Sequence, residues 1–197
     1  MVEPEERLLE VYLQPGESRL VREPAILSTL LGSCVGIAFR APRLGLGALC
    51  HPMLPRFPVK QAATLSRSAG HRYVDYAIRD LARQFDSLGA LRDEVEVKIF
   101  GGGDVLLMID DEARPTVGRL NCEVAMEVLE EEGFTVMASS LGGKRGVNIY
   151  FNTKTGEVLL KRHSLSVDLH GVTIEAAENR RHGARKQWGS TNGCTEN

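Results

Sequence analysis

Short runs of apolar residues, alternating or continuous and punctuated by glycine and proline, fill the first fifty positions of the chain. LLEVYL at 8–13 leads into the turn sequence Gln14-Pro15-Gly16-Glu17, and AILSTLL at 25–31 runs straight into Gly32; both patterns predict strands. VGIAFR at 35–40 and GLGALCH at 45–51 flank Ala41-Pro42-Arg43-Leu44 and predict a hairpin. The period then changes. Val74, Ala77, Ile78, Leu81, Phe85 and Leu88 recur at three- and four-residue spacing within 71–88, which predicts an amphipathic helix stopped by Gly89. EVEVKIF at 94–100 alternates again and meets Gly101-Gly102-Gly103. Asn121 is then expected to cap a second helix that ends at Gly133. FTVMASSL, VNIYFNT and EVLLKR supply further strands, the last two joined through Lys154-Thr155-Gly156.

Strands outnumber helices and mostly follow one another, which favours an α+β fold of layered, sandwich-like mixed sheets flanked by two main helices over a regular βαβ series. With 197 residues, 43% of them hydrophobic, one core is affordable. The expected division is a folded domain over 1–162 and a flexible tail over 163–197, where Arg, Asn, Gly and Ser replace the apolar pattern. A formal net charge of −2 offers no general attraction to nucleic acid or to an anionic membrane. The N-terminal segment lacks a cationic start followed by an apolar run, and no long apolar stretch occurs, so a cytoplasmic protein without membrane insertion is expected.

Cys34, Cys50, Cys122 and Cys194 form no CxxC pair, and reduced thiols are expected. Cys50 and His51 are strand neighbours pointing to opposite faces, which disfavours a metal site, and no cofactor is expected. The glycine clusters GGGD and GGKRG match no P-loop and no dinucleotide fingerprint, so close packing is the preferred reading there. Lys98, before the glycines, reads as a solvated strand lysine.

Cys34 carries the sharper question, because it is either a buried small residue or a nucleophile. If the hairpin closes through residues 41–44, Arg40 faces Gly45, Ala38 faces Gly47, Gly36 faces Leu49 and Cys34 faces His51, on one side of the sheet. That side is otherwise small, with room for another backbone or a substrate. A thiol beside an imidazole is the arrangement that nucleophilic catalysis requires, and the preceding Gly32 and Ser33 let a tight turn aim backbone N–H groups at an oxyanion. A slip of one residue in register would put Cys34 and His51 on opposite faces.

LGSCV at 31–35, His51-Pro52-Met53-Leu54-Pro55, RYVDYAI, VKIFGGG, Gly118-x-x-Asn121, LGG at 141–143 and Thr155-Gly156 together resemble the CheD family of bacterial chemotaxis, over about residues 8–162. The resemblance implies a chemoreceptor glutamine deamidase with Cys34 as nucleophile and His51 as general base and acid. It also implies a hydroxyl residue six positions before the cysteine. That position is Ser28, with Thr29 adjacent; successive strand residues point to opposite faces, and Ser28 is taken as the site residue. The implied substrate is a chemoreceptor cytoplasmic domain, with methylesterase chemistry on receptor glutamyl esters also accessible. A CheC-type phosphatase is an implied partner, so a mainly regulatory, non-catalytic binding module is the alternative. The chain departs from the family pattern at Gly103, Val105, Leu120 and Val147.

Overall fold

The computed structural model describes residues 8–58, 66–104 and 115–163. Strands β1 (Leu9–Tyr12), β2 (Ser18–Val21), β3 (Ala25–Leu31), β4 (Val35–Ala41) and β5 (Leu46–Cys50) precede helices α1 (Arg67–Gly70) and α2 (Val74–Ser87). Strand β6 (Glu96–Gly101), helix α3 (Val117–Glu131) and strands β7 (Val136–Leu141), β8 (Val147–Asn152) and β9 (Val158–Arg162) follow. Two mixed sheets result, one ordered β1-β3-β8-β9 and the other β2-β5-β4-β6-β7. The expected α+β sandwich-like architecture with two main helices is therefore present. Among the described residues no helix is long and apolar enough to cross a membrane.

Strand periodicity explains the layers. In β4 the odd positions Val35, Ile37 and Phe39 pack with Ala48 and Cys50 of β5 against Ile78, Leu81 and Phe85 of α2 and Val128 of α3. The other face turns the opposite way: Ala38 of β4, Leu49 of β5 and Phe100 of β6 pack with Leu27 and Leu31 of β3 and with Ile149 and Phe151 of β8. The larger sheet is thus buried on both faces, by helices on one side and by the smaller sheet on the other. A Cβ on Gly36 would lie 2.9 Å from a methyl of Leu31, so the small-residue side of the hairpin is filled by the second sheet. Asp80, buried on α2, accepts from Gln84 Nε2 at 2.8 Å and lies 3.0 Å from His71 Nε2, tying the approach to the helix to its middle.

Three sequence expectations need correction. Residues 18–21, SRLV, were given no element, yet they form β2, held by pairing with β5 rather than by a strong pattern of their own. Asn121 does not cap the second long helix. Thr116 does, its hydroxyl accepting from Arg119 N at 3.1 Å, so Asn121 lies inside α3. The hairpin register also differs, since Arg40 pairs with Gly47 and Ala41 with Leu46. A 3₁₀ turn over Pro42–Leu44 closes on Gly45 in the left-handed region, φ 62°, a conformation that glycine adopts at little cost. The loop keeps four residues but starts one residue later, which shifts pairing by two and preserves which side chains share a face. The expected tail lies outside the described residues beyond His163.

The start of α3 approaches the turn after β6 so closely that a Cβ on Gly118 would meet the Gly102 and Gly103 carbonyl oxygens at 2.6 and 2.7 Å. Gly118→Ala is expected to cost about 1–3 kcal/mol, the usual range for overpacking, read as a lower urea midpoint at unchanged m-value; wild-type stability would contradict this packing.

Candidate active site

Between β3 and β4 the chain turns through Gly32, Ser33 and Cys34, and each of their carbonyls is held from outside. Gly103 N donates to Gly32 O at 2.8 Å, Asn121 Nδ2 to Ser33 O at 2.9 Å, and Gly102 N to Cys34 O at 2.7 Å. The glycine run after β6 and the buried Asn121 of α3 therefore set the path of this turn. Its neighbour is the segment after β5. Val35 N donates to Pro52 O at 3.3 Å, and Asn121 Nδ2 donates also to Met53 O at 3.0 Å, so residues 33–35 and 51–53 run side by side.

His51 is fixed at backbone and ring alike. Its N–H donates to Glu17 O at 2.8 Å and its carbonyl accepts from Gly16 N at 2.7 Å, so the Gln14-Pro15-Gly16-Glu17 turn grips it from both sides. Cys50 points to the helices, as the alternation of strand side chains demands, and His51 points between the sheets. There its Nδ1 lies 2.6 Å from Thr29 Oγ1. The Thr29 hydroxyl has one proton, and it goes to Leu13 O at 2.8 Å, since a carbonyl only accepts. Nδ1 must therefore carry the ring proton and donate to Thr29. Nε2 is left with a bare lone pair, and it is buried without a hydrogen-bond partner.

This arrangement brings Thr29, not Ser28, to the histidine. Ala25, Leu27, Thr29 and Leu31 form the buried side of β3, whereas Ser28 shares the outward side with Ile26 and Leu30, its hydroxyl directed to Val11 O at 3.5 Å. Counting six positions back from Cys34 selects the wrong face. The alternation cited for preferring Ser28 instead admits Thr29, whose β-branched side chain is also stiffer at χ1.

Cys34 is half-buried and packs at the rim of the core between the sheets, on the side to which His51 points. Burial raises its thiol pKa, opposed by its own backbone N–H. Burial also drives His51 down from 6.5 to about 4, against the pull of Glu17 and of the Leu13 carbonyl. Both groups are neutral at pH 7, an acid with its proton and a base with a free lone pair. Cys50, pushed up to about 12 in the fully buried helix-side core, has neither exposure nor a base. Asn121 was legible only as an element of a motif; its bridging role depends on contacts with residues 88 and 68 positions away in sequence. Lys98 donates to Gly156 O at 2.9 Å, an anchor for the turn between β8 and β9.

A family model described as CheD chemotactic sensory transduction matches residues 53–162. The chain belongs to the CheD family. It is 40% identical over 156 residues to a protein named probable chemoreceptor glutamine deamidase CheD 2 from Geobacter sulfurreducens, covering 79% of this chain and 91% of that one. Proteins named probable chemoreceptor glutamine deamidase CheD from Maridesulfovibrio salexigens and Archaeoglobus fulgidus are 37% and 36% identical, each over 77% of this chain and over 91% and 92% of theirs. The matched span begins just after His51.

A histidine whose pKa falls on folding makes stability depend on pH with a definite sign. Between 6.5 and about 4 the unfolded chain binds a proton at His51 that the folded chain refuses, so this contribution is full above pH 6.5 and is lost as pH falls towards 4. Urea unfolding of wild type and His51→Gln between pH 7.5 and 4.5 should show the two curves converging on acidification. Parallel curves would mean that His51 is not held neutral by burial.

Proposed function

We propose that this CheD protein is a cytoplasmic chemoreceptor glutamine deamidase in which Cys34 is the nucleophile, His51 the general base and acid, and Thr29 the residue that orients His51. The observation that carries this reading is the Thr29–His51 hydrogen bond, which commits the ring proton to Nδ1 and leaves Nε2 as a base with a free lone pair. The names of the relatives supply the substrate class.

The reaction follows from those groups. Cys34 loses its thiol proton to His51 Nε2 as sulfur attacks the carbonyl carbon of a receptor glutamine side chain. Backbone N–H groups of the turn at Gly32, Ser33 and Cys34 are the proposed donors to the negative oxygen, in a turn whose path is fixed because all three carbonyls are held from outside. The His51 imidazolium gives its proton to the departing nitrogen, and ammonia leaves behind a thioester. His51 then takes a proton from water, hydroxide adds to the thioester, and collapse releases glutamate and the thiol. A glutamyl methyl ester carries the same acyl group with methanol as leaving group, so ester hydrolysis by the same residues is part of the proposal. Conversion of a neutral amide to a carboxylate alters charge packing in a receptor and so biases its signalling states. A CheC-type phosphatase is the proposed protein partner.

Incubating a cognate receptor cytoplasmic fragment with the protein should raise its mass by about 1 Da per glutamine converted, the difference between an amide and an acid, with the sites located by peptide mapping. Cys34→Ala should abolish conversion. Absence of conversion by wild-type protein with reduced Cys34 would favour the regulatory binding module instead. In the same assay Thr29→Ala should lower the rate by about 10²–10⁴-fold, the scale for losing a correctly held proton-transfer group, while Ser28→Ala should stay close to wild type. The opposite ranking would return the role to Ser28.

A further inference from the structure

Asn121 is fully buried within α3, and its single amide nitrogen donates to two carbonyls from different parts of the chain. Ser33 directly precedes the nucleophile, and Met53 follows the base by two residues. The identity of the two amide atoms is set by this network, because both partners only accept. Gly118, one turn earlier in α3, rests on the Gly102 and Gly103 carbonyls, and the N–H groups of those same glycines hold Cys34 O and Gly32 O. The helix therefore reaches the nucleophile turn by two routes, through the glycine run and directly through Asn121, but it reaches the His51 segment through Asn121.

We propose that Asn121 is a positioning residue that sets the separation of Cys34 from His51 by clamping the two segments that carry them. This rests on the deamidase reading of the site. Its Oδ1 has no partner among the described residues, so the side chain is held by its two donated bonds to the cysteine turn and the histidine segment. The backbone tether between Val35 N and Pro52 O is long at 3.3 Å, so the side-chain clamp is the shorter connection between the two segments. Loss of the clamp frees the Ser33 peptide to rotate, which moves both the thiol and the adjacent N–H groups. Misplacement of reacting groups by about 1 Å costs on the order of 100-fold in rate.

The test is a double-mutant cycle on the full chain. Alkylation of Cys34 by iodoacetamide, followed on the Cys34 peptide to separate it from the other thiols, is expected to slow when His51 is changed to Gln, because the base is lost. In the Asn121→Ala background the same His51→Gln change should have no further effect, and kcat on the receptor fragment should fall about 100-fold with KM within about twofold. A retained His51 effect in that background, or an unchanged kcat, would overturn the proposal even if the wild type deamidates the receptor. If His51→Gln leaves alkylation unchanged in the wild type, the general-base assignment fails and the clamp with it. Asn121→Asp, nearly isosteric but turning an acceptor towards both carbonyls, serves as the second variant. Failure of both to fold by circular dichroism would assign Asn121 to the fold and overturn the proposal.

Discussion

One hydrogen bond joins the two sheets at the point where the chemistry is placed. Thr29 belongs to the four-stranded sheet, His51 emerges from the end of the five-stranded sheet, and the 2.6 Å contact between them crosses the sandwich. The bond is buried on both sides, with each residue about 1% exposed. In that surrounding a hydrogen bond is stronger than in water, and breaking it leaves two polar groups stranded. The packing of one sheet on the other and the tautomer of the histidine are therefore a single constraint. The glycines of β4 and β5 serve it as well, since Gly36 and Gly47 let β3 and the end of β8 approach the larger sheet at distances that a Cβ would forbid.

Much of this was legible from periodicity. Residues 25–31 were read as a strand and form β3 without change of boundary, and the helix read over 71–88 contains α2. The error in hairpin register was two residues, and side chains alternate with period two, so Ala38 and Leu49 still share a face. What failed was information that sequence spacing does not hold. A short edge strand such as β2 owes its existence to its partner, the start of α3 to Thr116 rather than to the better-known capping preference of asparagine, and the choice of Thr29 to strand phase rather than to a count from the cysteine. Phase was available: Ala25, Leu27 and Leu31 are the apolar odd positions of β3, and Thr29 is in step with them.

The resting electrostatics distinguish this site from a preformed ion pair. Burial moves the thiol up and the imidazole down, so both shifts oppose charge separation in the empty pocket. A neutral pair is cheap to keep between two sheets, where isolated charges would demand several kcal/mol each in lost hydration. In the proposed reaction charge develops on Cys34 and His51 as attack proceeds, together with the negative oxygen of the substrate amide. Glu17 acts in the same direction, because its field raises the histidine pKa and thus favours the imidazolium. On that proposal the cysteine turn and the His51 backbone are already held by hydrogen bonds before substrate arrives, which removes the expense of reorganising them during the reaction.

Two buried polar atoms beside this site, His51 Nε2 and Asn121 Oδ1, have no partner among the described residues, and their unmet demand has different meanings. For Nε2 the free lone pair is what the proposed base role requires, since a base already satisfied by a hydrogen bond would have to lose it before accepting a proton. For Asn121 the lone carbonyl is the consequence of employing both amide hydrogens at once. No apolar side chain can donate to Ser33 O and Met53 O, and a hydroxyl has one proton for two acceptors. An amide is the smallest neutral group that supplies two donors from one atom, and it brings an oxygen with it. The fold thus tolerates a stranded acceptor in α3 as the condition for keeping the cysteine turn and the histidine segment in register.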